Sequence, residues 1–194
     1  MKKALKSDQK LVVDIITESF IDNPSAISIL KRKEIKKKQH LAGLAKYVFK
    51  TAFRRDGVFI SDDDTGVAVY YKYNIKKDSF SDYLDQLVLA LTVVGLGRVI
   101  RILKREAYIK KRRPSDGKFM YFWFFGVTKK GQGKGAANEL WKVILNEAES
   151  SSLPIYLEAS VEKNKNVYQR FGFKLYHTWK NENDRITLWF MKKS

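Results

Sequence analysis

The sequence predicts a mixed α/β fold, a sheet with helices on both faces, and three observations carry that expectation. Segments with apolar residues at helical spacing alternate with short β-branched and aromatic runs along the 194 residues. One run, Phe119 to Val127, is apolar on both faces, as a strand in the middle of a covered sheet should be. The composition is globular: 44% hydrophobic and 30% charged residues, with 3 Pro and 11 Gly, can build a core and does not describe a disordered chain. No repeat, linker or low-complexity stretch divides the sequence, so one domain over 1–194 is expected.

The elements follow in order. A first helix is expected over 8–21, where Leu11, Val12, Ile15, Ile16 and Phe20 share a face and Ser7 or Asp8 can cap it. Asn23-Pro24-Ser25 should end it. A second helix, about 34–54, carries Lys36-Lys37-Lys38 and an apolar row from Leu41 to Phe53, and Gly57 stops it. Val58 to Ser61 and Val67 to Tyr73 form a hairpin about the turn Asp62 to Gly66. Residues 80–112 are expected to be helical and broken at Gly95 or Gly97. The end of that region, Arg98 to Arg113, is the densest basic cluster and reads as a solvated helix face. Pro114-Ser115-Asp116-Gly117 loops into the buried strand. Next come a glycine-rich turn, a helix over about 134–150, a strand Ile155 to Ala159 and a short helix over about 164–171 ended by Gly172. Two last strands, near 174–180 and 185–191, flank the turn Asn181 to Asp184.

Composition also excludes chemistry. With no cysteine there is no disulfide, thiolate metal site or thiol nucleophile, which suits a reducing cytoplasm. His40 and His177 stand far apart and carry no motif, so no metal is expected. The start, Met1 to Lys6, lacks the apolar run of a signal peptide, and Leu87 to Leu96 is about half the length of a bilayer span. The expectation is a cytoplasmic protein with no membrane partner. The net charge of +17 favours polyanions in general.

The informative stretch is Val127-Thr128-Lys129-Lys130-Gly131-Gln132-Gly133-Lys134-Gly135-Ala136-Ala137, which joins the buried strand to an amphipathic helix. Small residues before a helix start leave backbone N–H groups free for a phosphate. A P-loop would need Gly at 128 and Ser or Thr at 135, and finds Thr128 and Gly135. A dinucleotide fingerprint, Gly131-Gly133-Ala136 with Glu158 downstream, leaves too little chain after Glu158 to complete its parallel sheet. Gln132-Gly133-Lys134-Gly135-Ala136-Ala137 resembles the Q/R-x-x-G-x-G/A loop of the GNAT superfamily of N-acetyltransferases. A second register, Lys130-Gly133-Gly135, puts Lys at the first position; Gln132 is preferred for its five-residue spacing from Val127. Leu157-Glu158-Ala159-Ser160, then Asn164, Tyr168 and Gly172-Phe173, is similar to that family's second motif, at the family's separation. Close resemblance covers 119–173, whereas 75–117 is not recognisable.

The resemblance implies a central mixed, mostly antiparallel sheet and transfer of acetyl from acetyl-CoA to a primary amine by direct attack, with no metal. It implies that the backbone of Phe125, Gly126 and Val127 holds the pantetheine, and Gly126 also suits close ligand approach. Gln132, Gly133, Lys134, Gly135, Ala136, Ala137 and Asn138 would hold the pyrophosphate. Asn164 would bond the pantetheine or cap its helix, and Tyr168 would protonate the departing thiolate. Glu158 is the sequence-level candidate for the general base, against a structural role for the same carboxylate. Ser160 is a possible assistant that nothing separates from a turn residue. The acceptor is expected to be a small-molecule or peptide amine, and nucleic acid is not. The alternative is a basic, non-catalytic nucleic-acid- or anion-binding module on the same core. Acceptor identity, acyl-chain preference and oligomeric state stay open.

Overall fold

A computed structural model describes residues 1–31, 34–73 and 79–194. Seven strands make one sheet: β1 (Lys2–Lys3), β2 (Val58–Ile60), β3 (Gly66–Lys72), β4 (Met120–Val127), β5 (Ile155–Ala159), β6 (Lys174–Asn181) and β7 (Ile186–Lys193). Their order is β1-β2-β3-β4-β5-β7-β6, and every pairing is antiparallel except β4 with β5. Among the described residues seven α-helices cover it: α1 (Gln9–Ser19), α2 (Pro24–Ile29), α3 (Lys37–Phe53), α4 (Phe80–Leu89), α5 (Leu96–Lys110), α6 (Ala136–Ser151) and α7 (Glu162–Arg170). The mixed, mostly antiparallel sheet with helices on both faces is the expected class.

Three apolar clusters sort the side chains by face. On one face α1 and α3 bury Ile15, Ile16, Leu41, Val48 and Phe49 against Val67 and Val69 of β3. On the same face, but at the other end of the sheet, Ile109 of α5 meets Ile186, Leu188 and Phe190 of β7. The opposite face is one continuous cluster, in which Leu140, Trp141 and Ile144 of α6 reach from Ala68 and Met120 to Leu157 and Met191. The sheet is therefore closed along its α6 side and divided on the other.

Several expectations are corrected. Asn23-Pro24-Ser25 starts a helix as well as ending one: the Asn23 carboxamide accepts from the Ala26 amide at 3.0 Å, and Pro24 has no N–H to satisfy at the first helical position. The strand β1, too short to show a period, pairs beside β2. The break in 80–112 falls at Gly95, the first of the two expected positions, whose φ of 85° follows a π-helical turn over Ala90–Val94. The helices on either side of it meet at a 120° bend.

The basic cluster is not a solvated face. Arg98 bonds the Leu30 carbonyl, Arg101 pairs with Asp184 at 3.1 Å, and Arg105, only 5% exposed, reaches Ser25 and Ser28 of α2. Arg112 stacks over Tyr108 at 3.4 Å. Only Lys104, Lys110 and Lys111 in that run stand exposed.

Candidate active site

β4 and β5 begin side by side and then part. Their register holds only at Met120 with Ile155 and Tyr121 with Tyr156. Beyond that point β4 stays on β3 while β5 stays on β7, so both strands run on with one edge unpaired. A bulge contributes to the divergence: Val69 faces Phe124 and Tyr70 faces Phe122, which leaves Trp123 as the extra residue and bends β4. The wedge opens into a cleft lined by both strands, the α1–α2 corner, α5 and α7.

At the far end of β4 lies the glycine turn. Gly131 folds back on Thr128, and Gly133 and Gly135 adopt φ of 77° and 97°, conformations that side-chain-bearing residues avoid. No protein atom lies within 4 Å of the position a Cβ would take at either of the two. The amides of Gly133, Gly135, Ala136, Ala137 and Asn138 find no backbone acceptor among the described residues, and the last three open α6. Lys134 is exposed beside them, as is Gln132. These amides, open toward solvent at a helix start beside Lys134, have the arrangement an anion needs.

The wall of the cleft carries the other expected residues. The Tyr168 ring packs against Phe122, Trp141 and Phe173, while its hydroxyl bonds no described residue. Burial raises that phenol above its ordinary value, so it holds its proton firmly. Asn164 lines the cleft as well, but it does not cap α7: Val161 occupies the cap, and the Asn164 amide donates to the Val161 carbonyl at 3.0 Å. Ser160 donates to the Asn23 carboxamide oxygen at 3.2 Å, tying the end of β5 to the start of α2. Phe125 lines the cleft on β4, with Gly126 and Val127 following it along the strand. Gly126 has a packing reason to be glycine in addition to the expected ligand approach. A Cβ there would stand 2.7 Å from Ser19, so its missing side chain admits the last turn of α1.

Two glutamates face the cleft. Glu158 accepts from Arg113 Nε at 3.2 Å and Nη2 at 2.8 Å, and from the Tyr121 hydroxyl at 3.0 Å. Arg113 and Glu158 are 7% and 8% exposed, and the guanidinium lies 3.7 Å over the Tyr121 ring. Burial opposes the Arg113 charge, but Tyr121 and Glu158 outweigh it and the guanidinium is held more firmly protonated than usual. A proton taken by Glu158 would sever one arm of this fork. Glu106, on α5, makes no hydrogen bond or ion pair among the described residues and opens onto the cleft. Desolvation raises its carboxyl above the ordinary value, with Arg105 and Arg113 pulling the other way. The motif reading missed Glu106. One signal was present: it is the lone acid between Asp85 and Asp116, set among eight lysines and arginines.

The acetyltransferase (GNAT) domain family model matches residues 63–194, more than half of the sequence. The chain belongs to the GNAT acetyltransferase family. This GNAT protein is 26% identical to an uncharacterized N-acetyltransferase of Schizosaccharomyces pombe over 89% of its own length and 73% of the relative's. Its fold is similar to a Corynebacterium glutamicum protein described as histone acetyltransferase HPA2 and related acetyltransferase, with TM-score 0.70 at 18% identity over 99% and 93% of the two chains. It is also similar to arylalkylamine N-acetyltransferase 2 of Aedes aegypti, with TM-score 0.62 at 16% identity over 99% and 96%.

The GNAT protein is an acetyl-CoA-dependent N-acetyltransferase, and its residues suit that co-substrate. A diphosphate needs several donors converging without side chains in the way, and the 133–138 turn offers five amides with open space at both glycines. Among the described residues no group of three or more His, Asp or Glu gathers to hold a metal.

Proposed function

We propose that this acetyltransferase acetylates an amine held in the cleft between β4 and β5, with Glu106 accepting the amine's proton and Tyr168 supplying one to the departing sulfur. The observation that supports it is the wedge itself, with an anion-binding turn at the end of β4, an unpartnered carboxylate on the α5 wall and an unpartnered phenol on α7. When bound, acetyl-CoA supplies a thioester carbonyl open to attack by a neutral amine. An alkylamine has a pKa of about 10.4 and arrives as ammonium. Glu106, exposed on the cleft wall, is suited to attract that cation and, with its proton affinity raised by desolvation there, to take up the proton. Phe20, Trp123 and Phe124 make the wall around it apolar, so the acceptor is a small amine with a hydrocarbon or aromatic body.

Tyr168 works at the other end of the same proton balance. Its phenol stays protonated at neutral pH, and the desolvation that raises it also raises the proton affinity of a thiolate formed beside it. Glu158 is assigned to architecture, fixing Arg113 and the Tyr121 ring at the point where the strands part.

Tyr168→Phe tests the reading. The ring contacts remain and no partner of the hydroxyl is orphaned, so the thermal midpoint should not move. Turnover in single-turnover kinetics should fall by about 10²–10⁴-fold, with CoA affinity by calorimetry nearly unchanged. Unchanged chemistry in that variant would remove Tyr168 from the mechanism.

A further inference from the structure

We propose that the outward face of α4 and α5 is a docking surface for an anionic lipid membrane. Nine of the thirteen exposed large hydrophobic side chains among the described residues lie between Phe80 and Leu103, each 47–79% exposed. On α4 and the π-turn Phe80, Tyr83, Leu84, Leu87, Val88 and Leu91 recur at three- and four-residue steps, which is one helical stripe. On α5 Leu96, Ile100 and Leu103 make a second stripe. Leu91 and Leu96 flank the bend at Gly95, so the end of one stripe and the start of the other are neighbours along the chain. Scattered apolar residues on a surface need no explanation; a continuous corner of them does.

The charges of these helices are turned the other way. Asp82 and Asp85 point to α3, where Arg54 and Lys50 hold them at 2.6 Å, and Arg98, Arg101 and Arg105 are spent on the protein body as described. These charges lie inward beside the partly buried Leu89 and the buried Val93 and Ile109, and a further apolar stripe on each helix faces out. This arrangement places leucines where water would otherwise be their only neighbour.

Charge selects the occupant. The rim of the apolar corner is basic: Lys104 lies one turn beyond Ile100, Lys110 and Lys111 close the α5 stripe, and Lys46 stands on α3 beside the row that carries α4. Of the acids on these two helices, Asp82 and Asp85 are held in the inward pairs and Glu106 opens onto the cleft. A second copy would set this rim, on a +17 chain, against itself. A bilayer with acidic headgroups satisfies both parts at once, hydrocarbon for the leucines and phosphates for the lysines, whose stems reach past the apolar stripe. No single helix among the described residues is long and apolar enough to cross a membrane, and the one pair that reaches that length together, 80–94 with 96–110, is bent by 120°, so the proposal is of a contact on the surface.

The test is flotation of the 194-residue chain with two vesicle types, phosphatidylcholine alone and a mixture with about one-third phosphatidylglycerol. The chain should float with the acidic vesicles at least about tenfold more tightly than with the neutral ones. Leu87→Glu and Ile100→Glu should abolish flotation while acetyl transfer to a soluble amine and the thermal midpoint stay as in the parent. Lys104→Glu, which leaves the apolar stripe intact, should shrink the preference for acidic lipid. A parent chain that stays in the soluble fraction, or that binds both vesicle types equally, overturns the proposal. So does a dimer in sedimentation equilibrium that Leu87→Glu dissolves without any lipid binding, since that outcome assigns the face to a second copy.

Discussion

Glu106 and Glu158 reach the same cleft, and their neighbours treat them in opposite ways. Glu158 is clasped by Arg113 and Tyr121, while Glu106 stands on the cleft wall with no bonded partner among the described residues, Arg105 and Arg113 acting on it only at a distance. Neutralising each should therefore give opposite results. For Glu106 the folded chain favours the protonated carboxyl. The stability it lends is full below the ordinary value of 4.5 and is lost as pH rises through the raised folded value. Glu106→Gln should thus melt at or above the parent temperature at about pH 8, with no difference near about pH 4. Its turnover should fall, and the acidic limb of its pH–rate profile should disappear. Glu158→Gln leaves the Arg113 guanidinium buried beside a neutral amide, which costs about 3–5 kcal/mol in urea unfolding. A Glu158 variant as stable as the parent, and slower only in chemistry, would return the base to Glu158. The sequence made Glu158 visible because it sits in a recognisable motif. Glu106 lies in a segment with no motif, and its isolation depends on which way α5 is turned, a matter no local pattern records.

The orientation of α5 is the element-scale lesson. Periodicity correctly groups Leu96, Ile100 and Leu103 on one side and Arg98, Arg101 and Arg105 on another. It does not say which side meets the protein, and the usual assumption, apolar inward, holds for Ile109 but fails for this stripe. The answer comes from distant partners: the Leu30 carbonyl, Asp184 and the hydroxyls of Ser25 and Ser28. Arg105 and Lys111, equivalent as cations on one helix, should then behave differently. Arg105→Gln breaks bonds to two buried-side serines and should cost about 1–3 kcal/mol in urea unfolding. Lys111→Gln should fall within about 0.5 kcal/mol of the parent. Equal effects would mean that α5 does not present its arginines to α2. The strand order shows the same limit. The final hairpin was legible, but its insertion of β7 beside β5 follows from the match of Leu188 and Phe190 to α5 and of Met191 to α6, contacts remote in sequence.

At the scale of the molecule, charge and sheet act together. The +17 field raises the concentration of any polyanion near the surface, and the 133–138 turn is where its donors stay free. CoA affinity should therefore fall steadily as salt is raised from about 50 to 500 mM, since the screening length shrinks from more than 10 Å to only a few. Calorimetry across that range checks it, and an affinity indifferent to salt would confine the electrostatics to direct contacts. The parted strands have a separate consequence. Only two register positions join the backbone ladders of β1–β4 and β5–β7, so the sheet is two leaves on a short spine, bound along the α6 side. Thermal agitation that fans the leaves apart strains little main-chain bonding, and a molecule gripping both edges would act as a clasp. Amide protons on either side of the spine would then exchange as two populations in the free chain and as one slower population once the clasp is closed.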